Sequence, residues 1–69
     1  MDVWANVGET AGQVYETCKG SDKPVSVGKI EKAIGKDKAV IAMAIGWLLR
    51  EGNVVAERAH NTIRVQVIK

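Results

Sequence analysis

At 69 residues the chain makes one domain, 1–69, with no length left for a second. A composition of 46% hydrophobic and 26% charged residues excludes a disordered tail, and the longest uncharged stretch, Ala39 to Leu49, reaches about half of a membrane span. The net charge of +2, with an isoelectric point near 8.9, falls just short of a dedicated nucleic-acid binder, for which values above about 9 are usual.

The first apolar residues, Trp4, Val7, Ala11, Val14, Tyr15 and Cys18, recur at helical spacing along one stripe. Asn6 and Glu9 have capping-box spacing, so the first helix is expected over about residues 6–19. Gly20 to Pro24 ends it, with Gly20 suited to the position after the last turn. Pro24-Val25-Ser26 is long enough only for an extended bridge. Ser26 caps a second helix whose inner face is Val27, Ile30 and Ile34, with Ala33 beside them, and Gly35 stops it. Asp37 caps a third helix, Lys38 to Glu51, closed by Gly52, with Ile41, Ala44, Ile45 and Leu48 on one face. Two helices joined by so short a turn read as a helix-turn-helix.

From Asn53 the apolar period changes from helical to alternating. A two-residue turn at His60-Asn61 pairs Val54 with Val67 and Ala56 with Val65 on one apolar face, and sets Glu57 opposite Arg64 on the other. One register satisfies both faces. The fold class expected is α+β, a winged helix of three helices, a short bridging strand and a C-terminal β-hairpin wing.

The stretch Ala44-Ile45-Gly46-Trp47-Leu48-Leu49-Arg50-Glu51-Gly52-Asn53-Val54 resembles the close of a recognition helix running into the wing of winged helix-turn-helix proteins. The order Gly8-Glu9-Thr10-Ala11-Gly12, then Gly46-Trp47-Leu48, then Arg50-Glu51-Gly52 is similar to a family of short prokaryotic winged helix-turn-helix domains of unknown function. That resemblance covers nearly the whole chain. It implies the fold, admits a dimer and brings no ligand with it.

Catalytic chemistry finds no constellation. Cys18 sits on the apolar stripe and reads as a buried core thiol, and His60 sits at the far hairpin tip. The acidic residues are scattered among lysines, without the pairing that carboxylate catalysis needs. Cys18 and His60 are too few to hold a structural zinc, so no metal or cofactor is expected. A single cysteine, and an opening Met1-Asp2-Val3-Trp4 that lacks a secretory pattern, point to the cytoplasm. Gly8 and Gly12 form a G-x-x-x-G pair, read here as permitting close packing or an irregular first turn.

Two surfaces can carry function. Lys29, Lys32, Lys36 and Lys38 cluster around the second helix and its turn, while Arg58 and Arg64 lie in the wing. Such positions hold DNA phosphates in winged-helix proteins, and a plain solvated face is the alternative. On the third helix the outward strip is Ala39, Ala42, Met43, Gly46 and Arg50, flanked by Val40 and Trp47. Only Arg50 there has the chemistry to read a base. Small residues beside Met43 and Trp47 suit a protein interface, with Trp4 joining it. A homodimer formed there would supplement a chain that buries only roughly 60% of its unfolded surface. The alternative is an N-terminal arm, Val3 and Trp4, folded over the strip within one subunit. The two function classes expected are therefore a DNA-associated module contacting backbone phosphates, and a protein-interaction module with no DNA partner.

Overall fold

A computed structural model describes residues 3–68. Its elements are α1 (Val3–Lys19), β1 (Val25–Ser26), α2 (Val27–Ile34), α3 (Lys38–Glu51), β2 (Val54–Ala59) and β3 (Thr62–Val67). The three strands form an antiparallel sheet in the order β1-β3-β2, completing the α+β winged helix. No helix among the described residues is long and apolar enough to cross a membrane.

The ends of α2 and α3 follow local chemistry. The Ser26 hydroxyl accepts from the Lys29 amide at 3.2 Å, and the Asp37 carboxylate accepts from the Ala39 amide at 2.7 Å. Each bond satisfies an amide that the first helical turn leaves without a partner. Both helices stop at a glycine in the left-handed region, Gly35 at φ 73° and Gly52 at φ 75°, where a Cβ would be strained.

Helix α1 ends at Lys19 as expected but starts earlier than expected. It begins at Val3, so Asn6 lies in its second turn and no Asn6–Glu9 capping box forms. A tertiary contact favours the longer helix: the Trp4 ring packs on Trp47 of α3 with centroids 5.0 Å apart. Gly20 follows the helix without a left-handed φ. The Ser21 amide instead reaches back to the Cys18 carbonyl at 3.1 Å, and Pro24 excludes further helix.

The wing has the expected register, Val54↔Val67, Ala56↔Val65 and Glu57↔Arg64. His60 takes φ 55° in the two-residue turn, a region in which His is tolerated better than bulky or β-branched residues. The bridge β1 pairs with β3 through Val25↔Val65 and Ser26↔Arg64, making β3 the central strand.

The core lies where α1, α2 and α3 meet the inner face of the sheet. Val14, Ile30, Ile41, Ala44 and Val65 are fully enclosed, and Cys18 is almost so. Burying an aliphatic side chain of this size stabilises by about 1.5–3 kcal/mol before chain entropy is set against it. Ala33, expected beside the inner face of α2, is exposed. Thr10 is buried among these apolar groups at no polar cost. Its hydroxyl donates to the Asn6 carbonyl at 2.7 Å and accepts from the Lys36 ammonium at 3.1 Å.

Candidate binding surfaces

Packing Ile41, Ala44, Ile45 and Leu48 inward leaves Ala39, Ala42, Met43, Gly46 and Arg50 exposed along α3, with Val40 half-buried beside them. The strip carries almost no hydrogen-bonding groups. A Cβ placed on Gly46 would meet nothing within 4 Å, so the helix backbone there is open to close approach.

Trp47 turns from this strip toward α1. It lies partly buried against the core and passes over Gly8, where an added Cβ would stand 3.6 Å from the ring. That distance is ordinary van der Waals contact, and a Cβ on Gly12 would meet nothing within 4 Å, so the packing requires neither glycine of the G-x-x-x-G pair. Trp4 leans on Trp47 with the ring planes tilted by 48° and remains 74% exposed.

Val3 and Trp4 thus belong to the first turn of α1 rather than to an arm folded over the strip. They form one wall of an open apolar groove of about 550 Å³, with Met43 and Trp47 as the other wall and Val7 at its base. Arg50 and Glu51 stand at the rim. Val7 is buried, as its place on the core stripe implied, while Glu51 was missed because it looked like an ordinary helix end.

The lysines expected to act together separate into two environments. Lys29, Lys32 and Lys38 are exposed. Lys36 is partly covered and turned toward α1, where it meets Thr10 and the Glu9 carboxylate at 3.4 Å. Its ammonium ties the α2–α3 turn to α1, and that explains its position without any ligand. Arg50 lies on the groove rim, and Arg58 lies exposed in β2 opposite Ile63.

A different basic set does converge. Lys23, Lys29 and Arg64 border an open cleft of about 690 Å³ where the Gly20–Ser26 loop enters α2. Pairing of β3 with β1 brings Arg64 there, through its register with Ser26. The loop is held from below, since the Gln66 amide donates to the Asp22 carbonyl at 3.5 Å. Among the described residues none of the three cations is in an ion pair, and Asp22 is the only acid lining the cleft. Glu57 stands opposite Arg64 in register yet forms no ion pair with it within 4 Å. Lys23 was missed because loop position says nothing about what a side chain faces.

Cys18 is 1% exposed, and burial pushes its thiol up from the ordinary value. Its sulfur is kept protonated, the opposite of what a nucleophile needs. His60 stands exposed at the wing tip, at the other end of the hairpin from the core.

The chain matches the family model of a winged helix-turn-helix domain (DUF2582) over residues 1–67. It is 41% identical over 54 residues to the uncharacterized protein MJ1608 of Methanocaldococcus jannaschii, an alignment covering 77% of each chain. It is also similar to the solution NMR structure of protein BT2368 from Bacteroides thetaiotaomicron. That similarity has a TM-score of 0.79 and 31% identity, over 97% of this chain and 79% of that one.

Proposed function

This chain belongs to the DUF2582 family of winged helix-turn-helix domains, and on that premise we propose that it is a non-enzymatic binding module that holds the backbone phosphates of duplex DNA without reading the bases. One observation carries the reading: Lys23, Lys29 and Arg64 border a single cleft, exposed and free of ion pairs among the described residues. Phosphate oxygens are the groups such a set neutralises, and Lys32 and Lys38 extend the positive surface along α2 and into α3. Sequence readout is excluded from the proposal because the exposed strip of α3 offers Ala39, Ala42, Met43 and Gly46 where base edges require hydrogen-bonding side chains. The lone, buried Cys18 suits a reducing compartment, so the cytoplasm is the setting proposed.

Fluorescence anisotropy of a labelled random duplex at about 50 and 200 mM salt tests this. Three to five phosphate contacts predict a loss of affinity of roughly 40- to 500-fold across that range. Lys29→Glu combined with Lys32→Glu removes most of the binding at low salt. Absence of binding by the folded protein at the lower salt refutes the reading. A second reading, a protein-interaction module with no DNA partner, is favoured by the apolar groove between α1 and α3.

A further inference from the structure

The basic cleft has a neighbour that backbone phosphates leave unused. A second cleft, of about 290 Å³, lies beside it on the wing, walled by Pro24, Val55 and Ala56 and edged by Glu57 and Gln66. Pro24 and Arg64 line both clefts, so the two adjoin there. Their chemistry differs. The first sets Lys23, Lys29 and Arg64 against Asp22 alone, whereas the second has an apolar wall with hydrogen-bond acceptors at its edge.

We infer that the adjoining clefts form one site for a nucleoside 5′-phosphate, with its phosphate among Lys23, Lys29 and Arg64 and its nucleoside against Pro24 and Val55. The inference rests on the reading of the basic cleft as a phosphate site and specifies which phosphate it takes. Three cations and one acid leave that cleft a net charge of +2. A terminal phosphate carries about −1.5 to −2 at neutral pH and offers three acceptor oxygens, whereas a backbone phosphodiester carries a single charge. Cations that converge on one opening therefore suit a terminal phosphate better than a row of diesters. A free nucleotide and the 5′ end of a DNA strand present this same chemistry.

The backbone carrying these groups is held in place. The Ser21 hydroxyl donates to the Lys23 carbonyl at 2.8 Å and accepts from the Lys23 amide at 3.2 Å, and pairing with Ser26 fixes Arg64. A site set in advance loses less freedom when a ligand enters. Gln66 directs its side-chain N–H to the Asp22 carbonyl at 3.5 Å, which leaves its side-chain oxygen as an acceptor at the second cleft. Glu57 adds a carboxylate there that is in no ion pair among the described residues. Sugar hydroxyls and base amines donate to such acceptors, and an apolar wall takes the face of a base. A phosphorylated serine side chain supplies the charge without either group.

The experiment is amide-shift titration of the full chain by NMR with adenosine and guanosine 5′-monophosphates, and with adenosine, O-phosphoserine and inorganic phosphate as controls. Either nucleotide should shift residues 23–29 and 55–57 together and bind about 10-fold or more tightly than any control, because its two parts are linked. Arg64→Gln weakens the nucleotide about 10-fold. Val55→Asn changes an exposed side chain, weakens the nucleotide about 5-fold and leaves inorganic phosphate unaffected. Anisotropy with duplexes ending in a 5′-phosphate or a 5′-hydroxyl separates the two sources. Preference for the phosphorylated end assigns the site to a strand terminus, and equal affinity assigns it to the free nucleotide. Nucleotide binding that is absent, no tighter than that of phosphate or phosphoserine, or confined to the basic cleft overturns the inference. Salt-sensitive binding of the 5′-hydroxyl duplex alongside that result removes this inference alone. Nucleotide binding without duplex binding removes the DNA reading alone.

Discussion

Lys36 looks from sequence like one of a row of phosphate-binding lysines, yet the structure gives it a different task, and the difference can be measured. Its ammonium donates to the buried Thr10 hydroxyl at 3.1 Å and meets the largely exposed Glu9 carboxylate at 3.4 Å. The bond to Thr10 is charge-assisted, which places it at about 1.5–3 kcal/mol when fully shielded from water. The lysine side chain retains 26% of its exposure, so about 1–1.5 kcal/mol is the expected net contribution. The Glu9 pair, with its carboxylate 70% exposed, adds at most a few tenths. Lys36→Met keeps the stem and removes the charge. It should cost about 1–1.5 kcal/mol in urea denaturation, a fall in Tm of about 4–10 °C for a domain this small. Thr10→Val removes the acceptor from the other side and should cost a similar amount. The double variant should cost little more than either single one, a coupling of about 1 kcal/mol in the cycle. Neither change should alter the salt dependence of DNA binding, whereas Lys29→Glu should. Additive single effects, or a Lys36→Met variant of full stability and shallower salt slope, would show that this ammonium faces a ligand rather than Thr10.

Gly12 lies exposed inside α1 with nothing within 4 Å of a built Cβ, so Gly12→Ala should stabilise by about 0.5–1 kcal/mol in denaturant titration; a loss would mean that another surface packs on that face. Burial raises the Cys18 pKa above the ordinary thiol value, so the folded state favours the thiol. The stability this lends is intact below about pH 9 and is lost as pH climbs toward the raised value. Melting curves of the wild type should therefore fall above pH 9 more steeply than those of Cys18→Ala, and a thiol reagent should react with the native protein far more slowly than with the unfolded one.

The fold was legible wherever local chemistry and the core asked for the same thing. Ser26 and Asp37 cap their helices, Gly35 and Gly52 end them, and alternation in the wing sets its register, because in each case one local choice satisfied both the backbone and the core. The start of α1 was not legible. Asn6 and Glu9 have the spacing of a cap, but the contact between Trp4 and Trp47 lies 43 positions apart in the chain and carries the helix back to Val3. Local propensity is too weak to resist such a contact.

The binding surfaces were legible as faces and illegible as sites, for a reason that Lys29 and Lys36 show well. Both stand beside helix α2, both are cations, and periodicity assigns both to the solvent side. What separates them is the element each one meets in space. Lys36 meets Thr10, a polar residue inside the apolar stripe of α1, whereas Lys29 lines a cleft to which the pairing of β3 with β1 also carries Arg64. Periodicity along one helix contains neither fact. The apolar strip of α3 was readable because exposed Ala, Met and Gly are defined by the helix itself. Its extension into a groove needed α1 to begin at Val3, the one boundary that sequence misplaced. The same long-range contact thus accompanies the helix start at Val3 and completes the apolar groove. Trp47→Ala should accordingly fray the first turn of α1 in hydrogen exchange, and unchanged amide protection there would show that the ring contact does not set the helix start.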